Sequence, residues 1–94
     1  MKKRHFTHIL NDYKDDVFSF SLYMLKDRAA AEDISQETFI RLWKNMKKIR
    51  NKNVKPWLMQ VTHNLCIDMI RKRKREVQHD FSGSGFRFNL PAES

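Results

Sequence analysis

The sequence predicts an all-α fold, a small bundle of three to four helices, and three observations predict it. Apolar residues recur at spacings of three and four along most of residues 6–76. No Val/Ile/Thr alternation reads as strand anywhere. Only two Gly and two Pro interrupt the 94-residue chain, and both glycines, Gly83 and Gly85, fall late. The length suits one small domain, which buries about 60–65% of its unfolded surface.

The first helix follows from Phe6, Ile9/Leu10, Tyr13, Val17, Phe20 and Met24, one apolar stripe about five turns long. Lys26-Asp27-Arg28 breaks the stripe. Asp27 is a good N-cap for a second helix, because three alanines, the strongest helix formers, follow from Ala29 to Ala31. Glu32 and Asp33 lie in its early turns, where the helix dipole favours negative charge. This helix is expected to run to about Met46–Ile49 with Ile34, Leu42, Trp43 and Met46 inside.

Arg50-Asn51-Lys52-Asn53 reads as a polar loop. Asn53 can cap a third helix that tolerates Pro56 in its first turn. Trp57, Leu58, Val61, Leu65 and Met69 continue a helical stripe. Thr62-His63-Asn64 interrupts it with poor helix formers, so a break is expected there, with Asn64 capping a fourth helix to Arg75. After Glu76 the composition changes, and Asp80–Phe86 reads as a linker. The domain reading is a helical unit at residues 1–76 and a flexible tail at 77–94.

Charge is divided along the chain. Residues 1–40 carry a net −1, residues 41–75 a net +11, and residues 76–94 a net −2, adding to +8. A strongly basic middle suits a polyanion, with nucleic acid the first candidate and an anionic membrane surface the second. No apolar run approaches the roughly 20 residues of a membrane span, and no signal-peptide core follows the basic start. The single cysteine, Cys66, cannot form an internal disulfide, which fits a reducing, cytoplasmic compartment.

No catalytic constellation stands out, so the chain reads as a non-enzyme with no cofactor or small-molecule substrate. His5 and His8 lie at i,i+3 without a third ligand, and solvated histidines are the default over a metal site. Cys66 sits between Leu65 and Ile67 and reads as a buried small hydrophobe.

Two clusters remain. Arg71-Lys72-Arg73-Lys74-Arg75 is five consecutive cations, more than a helix dipole needs, and they repel one another unless a polyanion neutralises them. Trp57, Gln60, His63 and Asn64 lie one or more turns upstream. They supply a flat face for stacking and donor–acceptor groups for a base edge, although Trp57 equally suits core packing. The second cluster, Asp33, Gln36 and Glu37, is acidic and amide-rich in a basic chain. Its i, i+3, i+4 spacing puts all three on one side of a helix.

These stretches, "AEDISQETFIRLW" at Ala31–Trp43 and "VKPWLMQVTHNLCIDMIRKRKR" at Val54–Arg75, together resemble region 2 of bacterial RNA polymerase sigma factors of the extracytoplasmic-function (ECF) group. The resemblance covers roughly residues 6–76, including "YKDDVFSFSLYMLKDRAAAED" before them. It implies that Asp33, Gln36 and Glu37, extended by Arg41 and Lys44, dock on the β′ clamp helices of core RNA polymerase. It implies that the segment around Asn64 resembles the family's loop that captures a base flipped from the non-template strand of the minus-ten promoter element. The Arg71–Arg75 helix would then track phosphates. An anti-sigma factor is a further partner the family implies. Members normally continue into a second helical domain, region 4, whereas this sequence stops at Ser94 within what would be the interdomain linker. The expected function is a transcription initiation module that binds core polymerase and recognises and melts minus-ten DNA.

Two rival readings make different demands. A generic basic helix-turn-helix DNA binder has no use for the acidic cluster, which would repel phosphate. A peripheral membrane module anchored by Lys72–Arg75 needs a long amphipathic Trp/Leu face, which the basic helix lacks.

Overall fold

The computed structural model describes residues 2–80, with side chains described for residues 3–76. It is all-α. Helix α1 spans Lys2–Leu25, α2 spans Arg28–Asn45, and α3 spans Val54–Asp80. Two 3₁₀ turns, Met46–Lys48 and Asn51–Asn53, join α2 to α3, and no strand occurs among the described residues. Each helix packs on the other two, closing a three-helix bundle. The tail reading falls mostly on residues 81–94, outside the described residues.

The turn between α1 and α2 is built as its residues dictate. The Lys26 N–H donates to the Leu22 carbonyl at 2.8 Å, and Lys26 adopts a left-handed backbone (φ 57°) that stops α1. Asp27 is extended (φ −148°), and its side chain accepts from the Ala30 N–H at 3.1 Å, capping α2. At the other end of α2 the Asn45 amide donates to the Arg41 carbonyl at 2.8 Å. The α-helix stops there and the chain tightens into 3₁₀ geometry rather than continuing to Ile49. Pro56 is the third residue of α3, where its missing N–H has no intrahelical role.

The core has two apolar halves. One gathers Ile9, Val17, Phe39, Leu42, Val54 and Leu58, with Trp57 half-buried against it. The other gathers Leu25, Ala30, Ile34 and Cys66. Phe39 takes the interior position expected for Trp43, which stays 39% exposed with its ring edge-on to Phe6 at 5.1 Å. Both lie on α2 four residues apart, but Trp43 has drifted toward the α1 side.

Three fully buried hydroxyls, Ser21, Thr38 and Thr62, complete the interior. Each donates to the carbonyl four residues back: Val17 at 2.8 Å, Ile34 at 2.8 Å and Leu58 at 2.7 Å. Thr38 Oγ1 and Thr62 Oγ1 also meet across α2 and α3 at 3.3 Å. Local bonding removes the penalty of about 1–3 kcal/mol for a buried unsatisfied hydroxyl, and the short side chains let the helices approach.

The expected break at Thr62–Asn64 does not occur, because α3 runs unbroken through it. Poor propensity costs only a few tenths of a kcal/mol per residue, about 0.7 at most for ordinary residues. Tertiary contacts outweigh that: Thr62 is buried against Thr38, and His63 lies 6.3 Å from Phe20. Asn64 is therefore an exposed mid-helix residue and caps nothing.

Candidate functional site

The acidic cluster sits on the outer face of α2. Asp33 and Gln36 are exposed, and Glu37 is half-buried and accepts from Arg41 Nε at 2.9 Å. Arg41 and Lys44 are exposed one and two turns further on. Glu32 is drawn off to one side by Arg28 at 3.7 Å. Beside this face runs an open apolar groove of about 490 Å³ between α1 and α2. Phe6 and Leu10 line it from α1, and Gln36, Phe39, Ile40 and Trp43 from α2. Gln36 thus belongs to both the polar cluster and the groove. Ser35 Oγ is buried beside it without a hydrogen-bond partner. The α1 contribution was not anticipated, since Phe6 and Leu10 read simply as core residues.

The second candidate face lies on α3. At 3.6 residues per turn an unbroken helix carries Gln60, Asn64, Arg71 and Arg75 along one outward stripe, opposite Leu58, Thr62, Cys66 and Met69. All four outward residues are exposed. Lys72 and Lys74, also exposed, flank the stripe, and Asp68 is an acid placed between its two ends. Trp57 is half-buried at the flank of the core, and His63 turns toward Phe20 of α1. Gln60 Nε2 donates to Asn64 Oδ1 at 3.1 Å. That leaves the Asn64 N–H donors and the Gln60 carbonyl oxygen side by side for an outside partner, a donor–acceptor pair suited to a base edge.

Arg73 departs from its neighbours. It is directed at the α1–α2 turn, donating to Asp27 at 3.0 Å and to the Leu25 carbonyl at 3.2 Å. The α2–α3 connection adds further cations: Lys47, Lys48, Arg50 and Lys52 are all exposed. They adjoin the Trp57 end of α3, and His5 Nε2 reaches Asn51 Oδ1 at 2.9 Å. The linear charge profile includes them but does not say which face they join.

Cys66 is fully buried, and burial pushes its thiol above the ordinary value, opposed by a hydrogen bond with Ser21. It packs as a small hydrophobe. Among the described residues no group of three or more His, Cys, Asp or Glu could hold a metal ion. Nor is any described helix long and apolar enough to cross a membrane.

The chain is similar to known proteins over the region that carries both faces. It is 46% identical to the ECF RNA polymerase sigma factor SigM of Bacillus subtilis over 76 residues, covering 79% of this chain and 47% of that protein. It is 37% identical to SigW of the same organism over 81 residues, covering 85% and 43% respectively. It is 31% identical to SigE of Mycolicibacterium smegmatis over 67 residues, 71% of this chain and 26% of that protein. The chain spans about half the length or less of these curated relatives. No solved structure matches it. Residues 9–76, which include all of α2 and most of α1 and α3, match Sigma-70 region 2, and the chain belongs to that family as region 2 of an ECF sigma factor.

Proposed function

We propose that the chain is a transcription initiation module whose two faces engage two partners. The outer face of α2 docks on the β′ clamp helices of core RNA polymerase through Asp33, Gln36, Glu37, Arg41 and Lys44. The apolar groove beside it receives side chains from the same partner. The outward stripe of α3 takes the non-template strand of the minus-ten element, with Gln60 and Asn64 at a base, Trp57 and His63 beside it, and Arg71, Lys72, Lys74 and Arg75 on phosphates. No bond chemistry is required. Trapping an unstacked base offsets an unstacking cost of a few kcal/mol, so binding energy opens the strands.

The observation that carries this reading is the separation of charge by helix. The acid-and-amide cluster occupies α2, and the cationic stripe occupies α3 and the connection before it. A simple DNA binder gains nothing from the first. A helix-turn-helix joins its helices by a turn of about three to four residues, whereas here two 3₁₀ turns spanning residues 46–53 intervene.

The test is capture of core polymerase by the chain with and without the Asp33/Gln36/Glu37 triple alanine substitution. The expected result is loss of capture with unchanged thermal melting, because all three side chains lie outside the buried core. Full capture by the triple variant removes the docking assignment.

A further inference from the structure

We propose that Arg73 does not bind nucleic acid and acts instead, paired with Asp27, as a positioning residue that straps the basic end of α3 to the α1–α2 turn. The idea rests on the DNA reading above only for its binding measurements.

Residues Leu58, Thr62, Cys66 and Met69 form the bundle-facing stripe of α3. Arg73 lies four residues beyond Met69, where the next core residue would fall. Its neighbours Arg71, Lys72, Lys74 and Arg75 are exposed, whereas Arg73 is half-buried. Its planar guanidinium serves two acceptors at once. Nη1 donates to the Leu25 carbonyl at 3.2 Å, and Nη2 donates to Asp27 Oδ2 at 3.0 Å. Leu25 ends α1, so its carbonyl lacks an ordinary intrahelical partner and welcomes a cation. The other oxygen of Asp27 caps α2 through the Ala30 N–H at 3.1 Å. One carboxylate and one guanidinium thus join all three helices at a single point.

The position explains why such a joint is useful. Among the residues with described side chains, Met69 and Ile70 are the last apolar residues of α3 packed against the core, and the helix continues to Asp80. Without a strap the cationic turns have little beneath them, repel one another and fray. Holding them keeps the phosphate-facing cations in register with Gln60 and Asn64, which is preorganisation for one strand rather than an added contact.

The experiment uses the full chain, measured three ways. The first is thermal melting. The second is amide exchange at residues 71–76. The third is binding to a minus-ten single strand across a salt series. Lys72→Gln, the comparison, is expected to flatten the log–log salt slope by about 0.7 with no change in melting. Arg73→Gln and Asp27→Asn are each expected to lower the melting temperature by about 4 °C and to speed exchange at residues 71–76. Each should weaken binding several-fold at 25 °C, and neither should flatten the slope. Asparagine caps as well as aspartate, so Asp27→Asn removes the charge pair and spares the cap. The double variant should melt no lower than the worse single one. Arg73→Lys, which keeps the charge but not the fork, should recover part of the loss. Two results overturn the proposal: Arg73→Gln flattening the slope as Lys72→Gln does, or the two single effects on melting adding in full. If the parent chain shows no salt-dependent binding, the DNA reading fails, and the coupling in melting and exchange still decides the strap.

Discussion

Asn64 and Arg73 are nine residues apart on one helix and meet different surroundings, because helical phase sends them to opposite faces. Asn64 is exposed, bonded to Gln60, and placed against its own propensity in mid-helix. A cap role is excluded by the unbroken helix, so its substitution separates folding from recognition. Asn64→Asp can still accept from Gln60 but loses the outward donor and adds a charge among cations, and serine is too short to span a base edge. Both variants are expected to melt within about 0.5 kcal/mol of the parent. Both should lose about 1–3 kcal/mol against the preferred base in a panel of minus-ten single strands, and less against the others. Asn64→Ala sharpens the contrast, since alanine favours the helix: melting should rise slightly while base preference disappears. Retained preference in all three would place the reading group elsewhere, beginning with Gln60 and His63.

At the scale of elements, the helix ends are where local physics is most exposed to test. Lys26 holds a left-handed backbone that costs a side-chain-bearing residue roughly 1–2 kcal/mol and glycine almost nothing. Its ammonium lies 5.1 Å from the Tyr23 ring centre, and an exposed contact of that kind returns about 0.5–1 kcal/mol. Lys26→Gly should therefore stabilise the chain slightly, by about 0.5 kcal/mol, read as a rise of about 2–4 °C in melting temperature. A clear fall would show that the Lys26–Tyr23 contact outweighs the backbone cost. The same scale explains α3. Its middle residues argue for a break on propensity alone, but that cost is a few tenths of a kcal/mol each, and Thr62, fully buried and bonded to the Leu58 carbonyl, sits in the core. That continuity puts the amide pair, Arg71 and Arg75 on one stripe. A break at Asn64 would have changed their relative phase.

For the whole molecule, two faces of different charge on different helices predict separable losses. Alanines at Asp33, Gln36 and Glu37 should weaken polymerase capture and leave the DNA salt slope unchanged. If Arg73 is held to Asp27 as proposed, four α3 cations remain for phosphates, so the slope on single-stranded DNA from this helix is expected to be about −2.8. Replacing Arg71 and Arg75 together should flatten it by about 1.4 without altering polymerase capture. A slope that responds to the α2 substitutions would mean that the faces are not independent.

Much of this architecture was legible in the residues because it rests on local rules. The stripe from Phe6 to Met24 announces α1. Asp27 before three alanines announces the start of α2. The i, i+3, i+4 spacing of Asp33, Gln36 and Glu37 announces a shared face, and the charge profile announces a basic half. Each depends on neighbours within about four positions, where helical geometry alone decides. What the residues left open depended on partners far along the chain. Phe39 rather than Trp43 is interior because it joins Val54 and Leu58 of α3 in the core, whereas Trp43 lies toward α1 against Phe6. The helix runs through Thr62 because that side chain is buried against α2, beside Thr38, 24 residues earlier. Phe6 and Leu10 line an outer groove as well as packing on the core. Arg73, one of five consecutive cations, is drawn from the solvent face by an aspartate 46 residues away. Periodicity assigns a residue to a face of its own helix, but only the packing of three helices determines what that face meets.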